Sequence, residues 1–172
     1  MKIFLKFLHF IFLVSCVVIQ IAFFEHLKIF YLSADLVLVA VIAVAVFDGG
    51  LYGLLYGFTS GLLIDLIAGK ITGVNAMIYA TCGFFASKLI EMGLKKKTVN
   101  HLLIIFFFTE LSLILYSAMY YLFNLNLNFA RLGIETVVGP VCNILLMFLV
   151  FPLINAGGRK KEEIGFAYKD KI

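Results

Sequence analysis

Apolar residues run along this chain in long blocks. They show neither the alternation of a half-buried strand nor the single stripe of a surface helix. Short polar interruptions divide the blocks into six. The first covers about residues 5–24 and ends at Glu25, His26 and Lys28. The second covers about 34–47 and ends at Asp48-Gly49-Gly50, a strong turn signal. The third and fourth cover about 50–68 and 74–92, separated by Gly69-Lys70-Ile71-Thr72-Gly73. Lys95-Lys96-Lys97 precedes the fifth, about 101–123. Asn124, Asn126, Asn128 and Arg131 lie ahead of the sixth, about 134–154. Read as one helix, residues 34–68 would reach about 50 Å at 1.5 Å per residue. A hydrocarbon core is about 30 Å thick, so two spans joined by a tight turn fit better.

Composition carries the pattern into a bilayer. Of the 172 residues, 63% are hydrophobic and 14% charged, and the mean hydropathy is +1.09. Soluble domains average about 45–50% apolar and about 25% charged. The expected fold class is therefore all-α: six transmembrane helices in one bundle over residues 1–156, followed by a short, basic, mobile cytoplasmic tail at 157–172.

Charge then sets an orientation. With the N-terminus in the cytoplasm, eleven basic residues fall on that side: Lys2, Lys6, Lys88, Lys95, Lys96, Lys97, Arg159, Lys160, Lys161, Lys169 and Lys171. Only Lys28, Lys70 and Arg131 fall outside. This is the asymmetry of the positive-inside rule, and adding or removing one span would break it. The net charge of +4 sits at span ends, with no basic face interleaved with aromatics, so nucleic acid is not an expected partner.

Within the third block, Gly49, Gly53, Gly57 and Gly61 recur every four residues, and Asp65, Gly69 and Gly73 continue the register. A four-residue step returns to nearly the same helix face, drifting about 40°. Gly49 falls in the turn, so the groove proper is Gly53, Gly57 and Gly61. Between membrane helices, small residues let backbones approach closely. The groove predicts a helix seam, internal or intermolecular, with a carboxylate at one end.

Chemistry is sparse. There is no H-E-x-x-H, G-x-S-x-G or phosphate-loop pattern, and His9, His26 and His101 are spread over different depths or sides. Cys16, Cys82 and Cys142 lie inside apolar runs without C-x-x-C spacing, as structural thiols do. Leu13-Val14-Ser15-Cys16 matches a lipoprotein cleavage pattern. The apolar run continues to Phe24, however, which predicts an uncleaved span.

Ionisable groups in a membrane domain are the functional candidates. Glu110 lies nine residues past His101, about 13 Å along the helix, and is the deepest carboxylate. It is either a hydrogen-bonded link between helices or part of a substrate or proton site. Asp35, Asp65 and Glu135 are expected to gather at the outer side with Arg131 and Lys70. Asp35 can also be explained as a helix cap. Asp65 reads as a structural or partner-contact acid, and Glu135 and Lys70 as solvated span ends. Lys88 and Glu91, three apart, are expected to pair. Gly139-Pro140 predicts a kink in the last span.

Ala34-Asp35-Leu36-Val37-Leu38, Gly53-Leu54-Leu55-Tyr56-Gly57-Phe58 and Gly61-Leu62-Leu63-Ile64-Asp65-Leu66, with Gly69 and Gly73, resemble the MreD family, the rod shape-determining membrane proteins of bacteria. Ala34 stands where the family usually has Pro, and the turn at Asp48 lacks the family's basic residue. The resemblance covers about residues 34–80. It implies a protein without catalysis or cofactor in the elongation machinery of the inner membrane. MreC would be its close partner, and MreB, RodA and a class B penicillin-binding protein would complete the assembly. Asp35 and Asp65 become candidate contacts for MreC, and Gly53, Gly57 and Gly61 a candidate seam. The family is thought to be similar in fold to the substrate-capturing subunits of energy-coupling-factor vitamin transporters, and such a subunit is the alternative reading. That alternative predicts a closed polar cavity, with Glu110 as a candidate member. Docking predicts a filled core and an exposed small-residue seam. An A-x-x-x-A pattern expected in the first span of a transporter subunit is absent.

Overall fold

A computed structural model describes residues 2–24, 33–68, 71–92, 98–124 and 128–169. Glu25, His26, Lys28, Gly69, Lys70 and the Lys95–Lys97 cluster lie outside the described residues. Within them every regular element is helical: α1 (Lys2–Ile19), continuing as a π-helical turn over Gln20–Phe24, then α2 (Leu36–Asp48), α3 (Gly50–Ala68), α4 (Val74–Glu91), α5 (Thr98–Leu122) and α6 (Phe129–Lys169). Among the described residues, four segments are long and apolar enough to cross a membrane: Lys6–Phe23, Gly50–Ala68, Thr98–Leu122 and Phe129–Ile154. Pro140 and Pro152 lie inside α6 without ending it, and that helix runs on through the segment read from sequence as a mobile tail.

α2 is the axis of the bundle. Every residue from Leu36 to Val46 is buried, and the helix touches all five others. Its sequence, LVLVAVIAVAVFD, is apolar on every side, as a helix surrounded by protein must be. Its small and β-branched side chains let neighbours come close. Around it, Phe7, Val18, Leu51, Leu66, Leu103, Ile114, Leu145 and Leu149 point outward and are exposed. That is the surface of a protein whose solvent is lipid; in water such patches drive association.

The α2–α3 turn forms where the sequence places it. Gly49 has φ +104°, a conformation side chains disfavour, and α3 begins at the next residue. α3 and α4 then form the most intimate pair in the bundle. A Cβ added at Gly57 would lie 2.5 Å from the Tyr79 carbonyl oxygen, and one at Gly61 2.5 Å from that of Asn75. At Gly53 it would meet Ala45 Cβ at 2.5 Å and the Gly83 carbonyl oxygen at 2.8 Å. The glycine groove is thus occupied by the backbone of this chain's own α4, with Gly83 as the reciprocal small residue.

Being only 13 residues long, α2 spans about 20 Å, some 10 Å less than a hydrocarbon core. Its C-terminal end passes through a single residue into α3. The shortfall is left at its N-terminal end, and a cavity opens there.

Candidate functional site: a polar cavity over the start of the central helix

Six helix ends meet at this cavity, whose volume is about 580 Å³. Gln20 comes from the end of α1, Asp35 from the start of α2, Ile64 and Ala68 from the end of α3, and Asn75 and Tyr79 from α4. Tyr116 and Tyr120 come from the last turns of α5, and Arg131, Glu135 and Asn143 from α6.

The floor is a hydrogen-bond network built on the exposed end of α2. A helix start leaves backbone N–H groups without intrahelical partners, and inside a membrane these must be met by protein. The Asp35 side chain accepts from Leu38 N–H at 3.0 Å, as an N-cap does. Gln20 Oε1 accepts from Leu36 N–H at 2.8 Å, and the Gln20 amide donates to the Ala34 carbonyl at 3.3 Å. Asn143 Oδ1 accepts from Asp35 N–H at 2.7 Å, while its amide donates to Thr109 Oγ1 at 3.0 Å. The Tyr79 hydroxyl donates to Asp35 Oδ2 at 2.8 Å. The start of α2 is thereby tied to α1, α4 and α6, and through Asn143 to α5.

Asp65 serves a neighbouring helix. It is 2% exposed and collects four donors from the start of α4: Gly73 N–H at 2.9 Å, Asn75 N–H at 3.2 Å, Ala76 N–H at 3.1 Å and the Asn75 amide. Gly73, at φ +99°, cannot cap with a side chain of its own. The aspartate that continues the glycine register in α3 caps α4 from outside, locking the last turn of the seam.

Of the charges expected together, Asp35, Arg131 and Glu135 do line one cavity, with Arg131 Nε on Glu135 Oε1 at 2.7 Å. Asp65 lies behind the wall, and Lys70 is outside the described residues. Glu110 is not on the cavity; it is half-buried on α5, and its Oε1 is buried without a hydrogen-bond partner. Lys88 and Glu91 form the pair their spacing predicts, at 2.6 Å. Cys16 and Cys82 are buried and Cys142 half-buried, all as free thiols.

Several contributors were not singled out from sequence. Gln20 and Asn143 are lone amides inside apolar runs, a legible signal because a buried amide needs partners. Tyr79 and Thr109 carry no such mark. At the opposite end, His9 Nδ1 meets Asp48 Oδ2 at 2.6 Å, tying α1 to the α2–α3 turn. Lys6 lies over the Tyr52 ring and bonds its hydroxyl. His101 packs between Phe47 and Phe151. Among the described residues no three His, Cys, Asp or Glu side chains converge as a metal site.

A helical bundle with a buried axial helix, a backbone-to-backbone glycine seam, an end-on polar cavity and four helices apolar enough to cross a bilayer defines the class: a small helical membrane protein. The family model for "rod shape-determining protein MreD" matches residues 1–156, and the chain belongs to that family. No curated protein and no solved structure matches. Nothing found supports the transporter-subunit alternative, although the cavity has polar groups from several helices. Nor is the glycine seam an open groove, since α4 fills it.

Proposed function

We propose that this chain is a non-enzymatic, six-span component of the bacterial cell-elongation complex in the inner membrane, with both termini in the cytoplasm. It docks MreC, with MreB, RodA and a class B penicillin-binding protein in the larger complex. The family match over residues 1–156 carries this reading. The positive-inside distribution supports the orientation, which puts the cavity on the outer side. With Gly53, Gly57 and Gly61 packed on α4 and Asp65 on its cap, the mutually paired Arg131 and Glu135 are, among the described residues of the cavity rim, the partner surface this reading favours.

Affinity capture from membranes in mild detergent tests the proposal. MreC and wall-synthesis proteins should copurify, and the double change Arg131→Ala with Glu135→Ala should reduce MreC recovery without altering the yield of folded protein. Recovery of an ATPase pair with a bound vitamin, and no MreC, would overturn it.

A further inference from the structure

Glu110 stands at the middle of α5, twelve residues from either end of a 25-residue helix that is long and apolar enough to cross a bilayer. It does not line the polar cavity, and its Oε1 is buried without a hydrogen-bond partner. A carboxyl group at that depth is costly and is normally held by another polar group. Its surroundings on the helix are apolar and face outward: Leu103, Phe107, Ile114 and Tyr121 are all exposed. With Glu110 they follow one another at steps of four, three, four and seven residues. This is the heptad spacing that keeps one helix face against another over several turns. At 3.6 residues per turn all four lie within about 60° of Glu110 around the helix. The carboxyl is therefore at the centre of an outward apolar stripe, in length as well as in width.

Such a stripe complements itself. Two copies inserted in the same orientation are related by a two-fold axis along the membrane normal. Across that axis α5 meets α5 in parallel, and each residue meets its own counterpart at one depth. Glu110 then faces Glu110. A carboxyl that holds its proton is donor and acceptor at once, so one protonated member is enough for the two groups to hydrogen-bond. Packed helix axes lie about 8–10 Å apart, within the joint reach of two glutamate side chains. A single polar residue in a two-stranded seam also fixes its register. From this mid-span carboxyl at the centre of an outward heptad stripe we infer that α5 is the interface between two copies of this chain, closed inside the bilayer by a Glu110–Glu110 hydrogen bond. The interface is distinct from the cavity rim, so it stands whether or not a partner docks there.

The test uses the full chain, fluorescently labelled and reconstituted in liposomes over a range of protein-to-lipid ratios. Photobleaching steps count the copies in each complex. The parent should pass from one step to two as its density in the bilayer rises. Glu110→Leu keeps the apolar stripe but removes the carboxyl, and should weaken dimerisation about 5–30-fold, the range that interhelical hydrogen bonds reach in model peptides. Glu110→Gln retains a donor and an acceptor and should dimerise within about threefold of the parent. Cysteine cross-linking in membranes maps the face in chains that keep Glu110. Leu103→Cys and Ile114→Cys should each give a cross-linked dimer, and Leu149→Cys, exposed on α6, should not. The proposal is overturned by a parent that stays monomeric at every density, by dimers that Glu110→Leu leaves intact, or by cross-linking through Leu149→Cys in place of the α5 positions. A monomeric parent whose Glu110→Leu variant loses MreC would also overturn it, and would give the carboxyl to a foreign helix. If Glu110→Leu fails to fold, the cross-linking decides.

Discussion

Replacing Gly57 with alanine adds one methyl group to α3 at its closest approach to α4. The methyl carbon would lie 2.5 Å from the Tyr79 carbonyl oxygen, 2.6 Å from the Tyr79 carbonyl carbon and 2.8 Å from the Ala80 nitrogen. These are backbone atoms, so no rotamer change relieves the clash, and α4 must retreat by nearly 1 Å. A radial gap of about 0.5–1 Å forfeits a quarter to a half of each dispersion contact, and the retreat is shared by the contacts at Gly53 and Gly61. Overpacking typically destabilises by about 1–3 kcal/mol, and a rigid two-backbone contact falls at the upper end. Alanine returns about 1 kcal/mol of helix propensity, leaving a net loss of about 2 kcal/mol. Gly133 in α6 is the matched control, since nothing lies within 4 Å of a Cβ added there. Only the propensity term remains, a gain of about 1 kcal/mol. The assay is thermal unfolding of the purified chain without partners. At about 2–4 °C per kcal/mol for a chain of this size, Gly57→Ala should unfold about 4–8 °C lower and Gly133→Ala about 2–4 °C higher. A Gly57→Ala protein as stable as the parent would refute the internal seam and return those glycines to the role of a partner contact.

Two further outcomes follow from the polar groups. Asp65→Ala orphans three backbone N–H groups, that of Ala76 buried and those of Gly73 and Asn75 half-buried, and an amide at the start of α4; with each bond to a charged group worth about 1.5–3 kcal/mol, the loss should exceed about 3 kcal/mol. Gel filtration in detergent should show little folded protein, with Asp65→Asn recovering part of it. Glu110→Gln should shift unfolding by less than about 1 kcal/mol, because no hydrogen bond to Oε1 is lost and a neutral amide is cheaper to hold in lipid than a carboxylate. A large destabilisation at Glu110 would show that its carboxylate has a partner.

What the sequence by itself determined was whatever depends on local composition and spacing. The apolar blocks exceed what water tolerates, so a helical membrane protein is dictated by hydropathy alone. Gly49 marks the α2–α3 turn through its backbone freedom, and the 53-57-61 register marks one face of α3 for close approach, because both signals are carried by consecutive residues. The same stretch, about residues 34–80, carries the family resemblance. Tertiary structure alone decided who occupies that face. A stripe without side chains is equally suited to α4 of the same chain and to a foreign helix, and only the fold brings Gly83, Tyr79 and Asn75 against it. Asp65 could not be assigned for a related reason: its donors lie eight to eleven residues away across a turn, so its role depends on how α4 returns along α3. The cavity was equally hidden. It exists because a 13-residue helix lies at the centre of longer ones, and length matters only once neighbours are known. Its floor joins Gln20, Asp35, Tyr79, Thr109 and Asn143, residues scattered over more than a hundred positions. Hydropathy determines that the long apolar helices are suited to a membrane. Which polar side chains meet there is settled by packing, because a buried donor or acceptor takes whichever partner the neighbouring helix presents.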